Sequence, residues 1–118
     1  YRGIRFTLLE EGQLTVRMNP SLAASVVGNL LKNAFVHGDA DGEIVVRVDA
    51  GSLSVANSGA GGALDGEHVF DRFYQGTKRE GSTGLGLAIV DAVCRLYGMR
   101  IGYGYADGRH CFTLRIAD

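Results

Sequence analysis

Asn29 and Asn33 stand one helical turn apart, and His37 continues the line one turn further on. Amide oxygens in that arrangement can ligate a hard cation such as Mg²⁺, which prefers oxygen donors and keeps several of its waters. Two surface asparagines on any helix would share the spacing. Asn57-Ser58-Gly59-Ala60-Gly61-Gly62 follows a run with strand-like alternation, and glycine at that density lets backbone approach a flat or charged ligand. What comes next is loop rather than helix, which excludes a dinucleotide-binding fingerprint. Gly81-Ser82-Thr83-Gly84-Leu85-Gly86 leads into a helical pattern. Free backbone N–H groups there, with the hydroxyls of Ser82 and Thr83, can hold an anion. No Gly-Lys-Ser/Thr is present, so this is not a phosphate loop of that type. Arg72, Lys78 and Arg79 offer positive charge nearby, which a solvated surface would also show.

These groups need elements to hold them. From Ser21 to about His37 the residues Leu22, Ala23, Val26, Val27, Leu30, Leu31 and Ala34 keep helical spacing after the start signal Asn19-Pro20-Ser21. The polar stripe borders that apolar arc, where a cleft would lie. A second helix is expected over residues 84–96, with Leu85, Ala88, Ile89, Ala92, Val93 and Leu96 on one face. Three glycine turns separate alternating runs: Ile4–Leu9 from Leu14–Arg17, Glu43–Val48 from Leu53–Val55, and Ile101–Tyr105 from Cys111–Ile116. Each is read as a hairpin or as paired strands. Strand pairs alternating with two strong helices predict an α+β or α/β sandwich, with helices on one sheet face.

Composition narrows the class. A chain of 118 residues is one domain. With 46% apolar and 21% charged residues it is globular, not disordered. Twelve basic against 13 acidic residues, a net charge of −1, argue against a nucleic-acid binder. No apolar run is long enough to span a membrane. Cys94 and Cys111 lack metal-ligand spacing and read as reduced core thiols of a cytosolic domain. The outlier is 18 glycines against a single proline. In a chain this rich in Val, Ile and Leu, those glycines are positional.

The signals occur in a fixed order. Asn29-Leu30-Leu31-Lys32-Asn33-Ala34 resembles the N box of the catalytic, ATP-binding domain of bacterial sensor histidine kinases, in the wider family that includes gyrase, Hsp90 and MutL ATPases. Asn57-Ser58-Gly59-Ala60-Gly61 resembles its G1 box, Val69-Phe70-Asp71-Arg72-Phe73-Tyr74 its F box, and Gly84-Leu85-Gly86-Leu87-Ala88-Ile89-Val90 its G2 box. The likeness covers nearly the whole chain. It implies a Bergerat-type two-layer sandwich: a mixed, mostly antiparallel sheet of about five strands with about three helices on one face.

The resemblance also implies roles. Asn33 would coordinate Mg²⁺ between the ATP phosphates, and Asn29 stands where hydrolysing members carry a glutamate base. ATP contacts would come from Asn29, Asn33, His37, Asn57, Gly59, Gly61, Phe70, Arg72, Phe73, Ser82, Thr83, Gly84, Leu85 and Gly86. Asn57 replaces the usual adenine-binding Asp, and Val36 stands where many relatives have a phosphate-contacting Lys. Residues 75–83 would form the ATP lid. Core packing under the lid is the other reading of Phe70, Phe73 and Tyr74. The implied activity is transfer of the γ-phosphoryl of ATP to a histidine on a separate dimerisation and phosphoacceptor domain upstream, then to a response regulator. The catalytic domain itself is expected to be monomeric, cytoplasmic and free of membrane contact, while sensor kinases are commonly anchored in the inner membrane by other domains. The alternatives are an anti-sigma-factor-type serine kinase, and a non-catalytic nucleotide-binding or pseudokinase module.

Overall fold

In the computed structural model, residues 3–39, 42–59, 62–72 and 85–116 are described. Strand β1 (Arg5–Glu10) leads through an extended link to helix α1 (Pro20–His37). Strands β2 (Glu43–Val48) and β3 (Ser52–Ser58), helix α2 (Gly86–Leu96), and strands β4 (Arg100–Ala106) and β5 (Arg109–Arg115) follow. One sheet holds all five strands in the order β1-β2-β3-β5-β4, with only β1 and β2 parallel. The mixed, mostly antiparallel sandwich expected from the sequence is present.

Local chemistry sets the boundaries. Asn19 caps α1, its Oδ1 accepting the N–H groups of Ser21 at 2.8 Å and Leu22 at 3.3 Å. Pro20 takes the first helical position, where a missing N–H costs nothing. The helix stops at Gly38, whose N–H still reaches the Ala34 carbonyl at 3.0 Å. Between β2 and β3 the Asp49 carboxylate accepts from the Gly51 N–H at 2.9 Å and the Ser52 hydroxyl at 3.0 Å. Between β4 and β5, Asp107 and Gly108 take φ values of 53° and 73°. Two successive positive values match the twist of a tight hairpin.

Cross-strand rows make the inner face. Val46, Val55, Phe112 and Tyr103 lie side by side across β2, β3, β5 and β4, and Ile44, Asn57, His110 and Tyr105 form the next row. The helices cover this face, packing on each other and on β3 and β4. Val26, Leu30 and Ala34 of α1 meet Val90, Val93 and Cys94 of α2 in the core, joined by Val69, Met99 and Leu114.

Two expectations are corrected. Leu14–Arg17 forms no strand, so the first glycine turn makes no hairpin. β1 pairs in parallel with β2 instead, Phe6 opposite Ile44 and Leu8 opposite Val46. Parallel neighbours need a crossover of a dozen or more residues, and residues 11–42, with α1 inside them, supply it. At Gly12 a Cβ would lie 3.0 Å from the Ala50 nitrogen, so the chain passes tightly over the β2–β3 turn rather than folding back on β1. Thr15–Met18 then line a shallow cavity of about 210 Å³ with Tyr97, Met99 and Ile116. The second correction is the helix count, which is two, not three, among the described residues. Around residues 65–71 the bonds His68 N–H to Asp65 and Asp71 N–H to His68 close three-residue turns instead of a helix.

Both cysteines are free, and burial, followed by the nearby Asp91 charge, pushes the Cys94 thiol up to about 11. Iodoacetamide at neutral pH is therefore expected to label Cys111 in the folded domain and Cys94 only after denaturation, as read by peptide mass spectrometry. Gly28 lies on the exposed side of α1 with nothing within 4 Å of a Cβ built on it. Gly28→Ala should raise stability by about 0.5–1 kcal/mol in a urea titration, because it removes backbone freedom without meeting a neighbour.

Candidate functional site

The site is built around a buried amide. Alternation along β3 turns Asn57 inward beside Val55, and the residue is only 2% exposed. In the sheet it lies between Ile44 and His110. Two glycines close around it. A Cβ on Gly38 would fall 2.6 Å from the Ala34 carbonyl oxygen and 3.6 Å from Asn57 Nδ2. A Cβ on Gly59 would fall 2.8 Å from His110 Cδ2, 3.0 Å from its Nε2 and 3.5 Å from Asn57 Nδ2. A side chain at either position would collide with the Ala34 carbonyl or the His110 ring, so glycine lies beside the amide on both sides. Asn57 Nδ2 donates to the Ser58 carbonyl at 3.2 Å, the one hydrogen bond of its side chain among the described residues. The amide oxygen is left for a ligand.

Helix α1 runs from this cradle to the start of α2. At its middle Asn29 Nδ2 donates to the Ser25 carbonyl at 2.8 Å and hydroxyl at 3.2 Å. Those bonds tether the amide. Its Oδ1 would lie 3.0 Å from a Cβ on Gly86, the first residue of α2. Leu85 caps α2 with no side-chain hydrogen bond, and no acidic residue sits in the first turn. The leading N–H groups of α2 thus have no side-chain cap, and no acidic residue of the first turn offsets the positive end of the helix dipole. Asn33 and His37, both half-buried, continue the stripe from Asn29 toward Gly38. Asn29, Asn33 and His37 thus connect the α2 N-terminus to the Asn57 cradle along one helix edge.

The other expected site residues divide. Phe70 is half-buried, its ring edge-on to Phe112 at 6.0 Å, as the core-packing reading has it. Arg72 is exposed. Gly61, Phe73, Tyr74, Lys78, Arg79, Ser82, Thr83 and Gly84 lie outside the described residues, as does the whole of the expected lid, 75–83. His110 went unread as a site residue. It is 7% exposed and fills the space beside Gly59. Burial lowers its pKa from the ordinary histidine value, with the Asp39 charge acting in the opposite direction. Inward alternation with Phe112 and Leu114 was the available signal, had the strand been started at Arg109.

Gly38→Ala is expected to cost about 1–3 kcal/mol in denaturant unfolding, because the added methyl meets a carbonyl of the helix it ends.

Comparison with known proteins gives the setting. Residues 18–117 match the family described as histidine kinase-, DNA gyrase B-, and HSP90-like ATPase. The sensor histidine protein kinase HK06 of Streptococcus pneumoniae is 34% identical over 115 residues, covering 91% of this chain and 26% of that protein. The probable sensor histidine kinase TcrY of Mycobacterium tuberculosis is 39% identical over 101 residues, covering 77% and 21%. Among solved structures, the mycobacterial sensor histidine kinase MprB superposes with a TM-score of 0.81 at 26% identity, covering 97% of this chain and 83% of that one. The chain spans 26% and 21% of the length of these two curated relatives.

Proposed function

Because the chain belongs to the family of histidine kinase-, DNA gyrase B- and HSP90-like ATPases, we propose that it is the ATP-binding catalytic domain of a sensor histidine kinase. It would transfer the γ-phosphoryl of ATP to a histidine on a separate dimerisation domain, for relay to a response regulator. The observation that carries this reading is Asn57: a buried amide between two side-chain-free backbones, with its oxygen unbonded among the described residues. An adenine amino group is a donor of the right kind for that oxygen, and the remaining N–H of the amide suits a ring nitrogen.

The α1 edge would then follow the nucleotide from base to phosphates. The N-terminus of α2, where Leu85 makes no side-chain cap, would receive phosphate charge. Ser82, Thr83 and Gly84 just before it, with Arg72, Phe73, Gly61 and His37, complete the proposed contacts. A hard divalent cation fits Asn33, a half-buried neutral oxygen donor one turn from Asn29, with water and phosphate oxygens completing its set. When bound, Mg²⁺ would neutralise phosphate charge. Asn29 does not remove a proton from water, since an amide is not a base and its Nδ2 is held by Ser25. A site without a base keeps the phosphoryl from water and leaves it for an incoming imidazole. The imidazole nitrogen attacks phosphorus, the bond to the bridging oxygen breaks, and ADP leaves. Positioning does the work.

The relatives named above are sensor histidine kinases, which favours this reading over the serine-kinase and non-catalytic alternatives. Among the described residues no helix is long and apolar enough to cross a membrane. The domain would act in the cytoplasm as a monomer, with its phosphoacceptor domain and a response regulator as partners.

Calorimetric titration with ATP, with and without Mg²⁺, tests the reading. Asn33→Ala should abolish the Mg²⁺-dependent part of the affinity. Asn57→Asp should tighten binding by about five- to tenfold, since a charged acceptor adds on the order of 1 kcal/mol over a neutral one. Absence of binding at millimolar nucleotide would remove the kinase assignment while leaving the fold intact.

A further inference from the structure

His110 belongs to a chain of contacts that no motif in the sequence marks. Its Nδ1 lies 2.7 Å from the Tyr103 hydroxyl. That hydroxyl accepts the Leu64 backbone N–H at 2.8 Å. Leu64 follows the glycine segment that starts at Gly59, and the Gly59 N–H is itself bonded to the Gly108 carbonyl at 3.2 Å. The segment leaving Asn57 is thus held near both its ends by the β4–β5 hairpin. One tie comes from backbone and the other from the Tyr103 phenol.

We propose that His110 and Tyr103 are positioning residues for Gly59 and Leu64, holding these two residues in place beside the base-binding cradle of Asn57. The proposal rests on the nucleotide-binding reading above. A phenol oxygen that takes the Leu64 N–H can still give its own proton to His110 Nδ1, and in the proposed arrangement it does so, leaving the ring hydrogen on Nε2. The Nε2 edge then lies against Gly59, where a side chain would collide with it. Protonation makes Nδ1 a donor, and the phenol loses the acceptor that orients it.

The surroundings favour the neutral ring. His110 is buried in the inner row of the sheet, and the Tyr105 ring lies 4.8 Å away from β4. Asn57 from β3 and Gly59 from the following loop are uncharged, and Asp39, after α1, is the charged group that opposes the effect of burial. Because the folded value is lowered, the contribution of the neutral ring to stability is complete above the ordinary histidine value of about 6.5. It is lost as the pH falls through that value toward the lowered one.

Two measurements on this chain separate the pair from the nucleotide reading. The first is amide hydrogen exchange at Leu64, which needs no ligand. Tyr103→Phe should speed that exchange by tenfold or more, and so should acidification of the wild type once intrinsic rates are corrected. His110→Asn keeps an acceptor near the Nδ1 position without the titration, so Leu64 should stay protected across the same pH range. The second is ATP titration from about pH 8 to about pH 5, spanning the histidine range. Wild-type affinity should fall several-fold on acidification, His110→Asn should give a flat profile, and Tyr103→Phe should bind about three- to tenfold more weakly at neutral pH. Unchanged Leu64 exchange in Tyr103→Phe, or an identical pH profile in His110→Asn and wild type, would overturn the positioning role. If the wild type binds no ATP, the kinase reading fails, and the exchange result still decides whether the pair holds Leu64.

Discussion

Burying the amide of Asn57 is the constraint on which the rest of the site depends. A polar side chain out of water costs about 1–3 kcal/mol for each group left unbonded, so an inward position on a central strand is a poor place for one. Val55 and Phe112, its neighbours in the next row, show what such positions ordinarily hold. Asn57 Nδ2 is bonded to the Ser58 carbonyl, and three elements close around the amide. Gly38 ends α1 against it, Gly59 leaves β3 beside it, and His110 occupies the volume that a side chain at residue 59 would need. Three elements that are distant in sequence meet at one amide for this reason.

The parallel pairing of β1 with β2 follows from the same layout. Crossing from one strand to the next in the same direction carries α1 over the sheet and returns the chain at Gly42, next to the end of β3. α1 therefore has one end at the Asn57 cradle and its middle against α2. The apolar stripe of Val26, Leu30 and Ala34 sets which way it faces, and Asn29, Asn33 and His37 are left along its edge. Packing that buries the core thus also aims the polar groups.

Much of this was legible from local signals. Both helices announce themselves through periodicity, and two hairpins through turns that contain Asp and Gly. The first hairpin misled because its glycine and flanking alternation were as good as the others. Its partner was decided by β2, more than thirty residues away, and by the close pass of Gly12 over the Asp49–Ala50 turn. In the site, the order of Asn and Gly motifs pointed to the nucleotide chemistry. His110 did not show as a site residue, since its alternation with Phe112 and Leu114 marks only an inward strand position. Phe70 could be read as ligand contact or core, and its edge-on contact with Phe112 packs the half-buried ring against the core.

What the sequence determined by itself is short-range: helix and turn chemistry, an amide rather than a base at Asn29, and the ordered motifs that carry the family resemblance. Those properties depend on residues within a few positions of one another. Tertiary structure decided which strand β1 pairs with, that a glycine at 38 and one at 59 enclose the same amide, and that the β4–β5 hairpin reaches back to Leu64 through Tyr103 and His110. Each of these joins segments whose encounter depends on how the whole inner face is filled, and no local pattern encodes that.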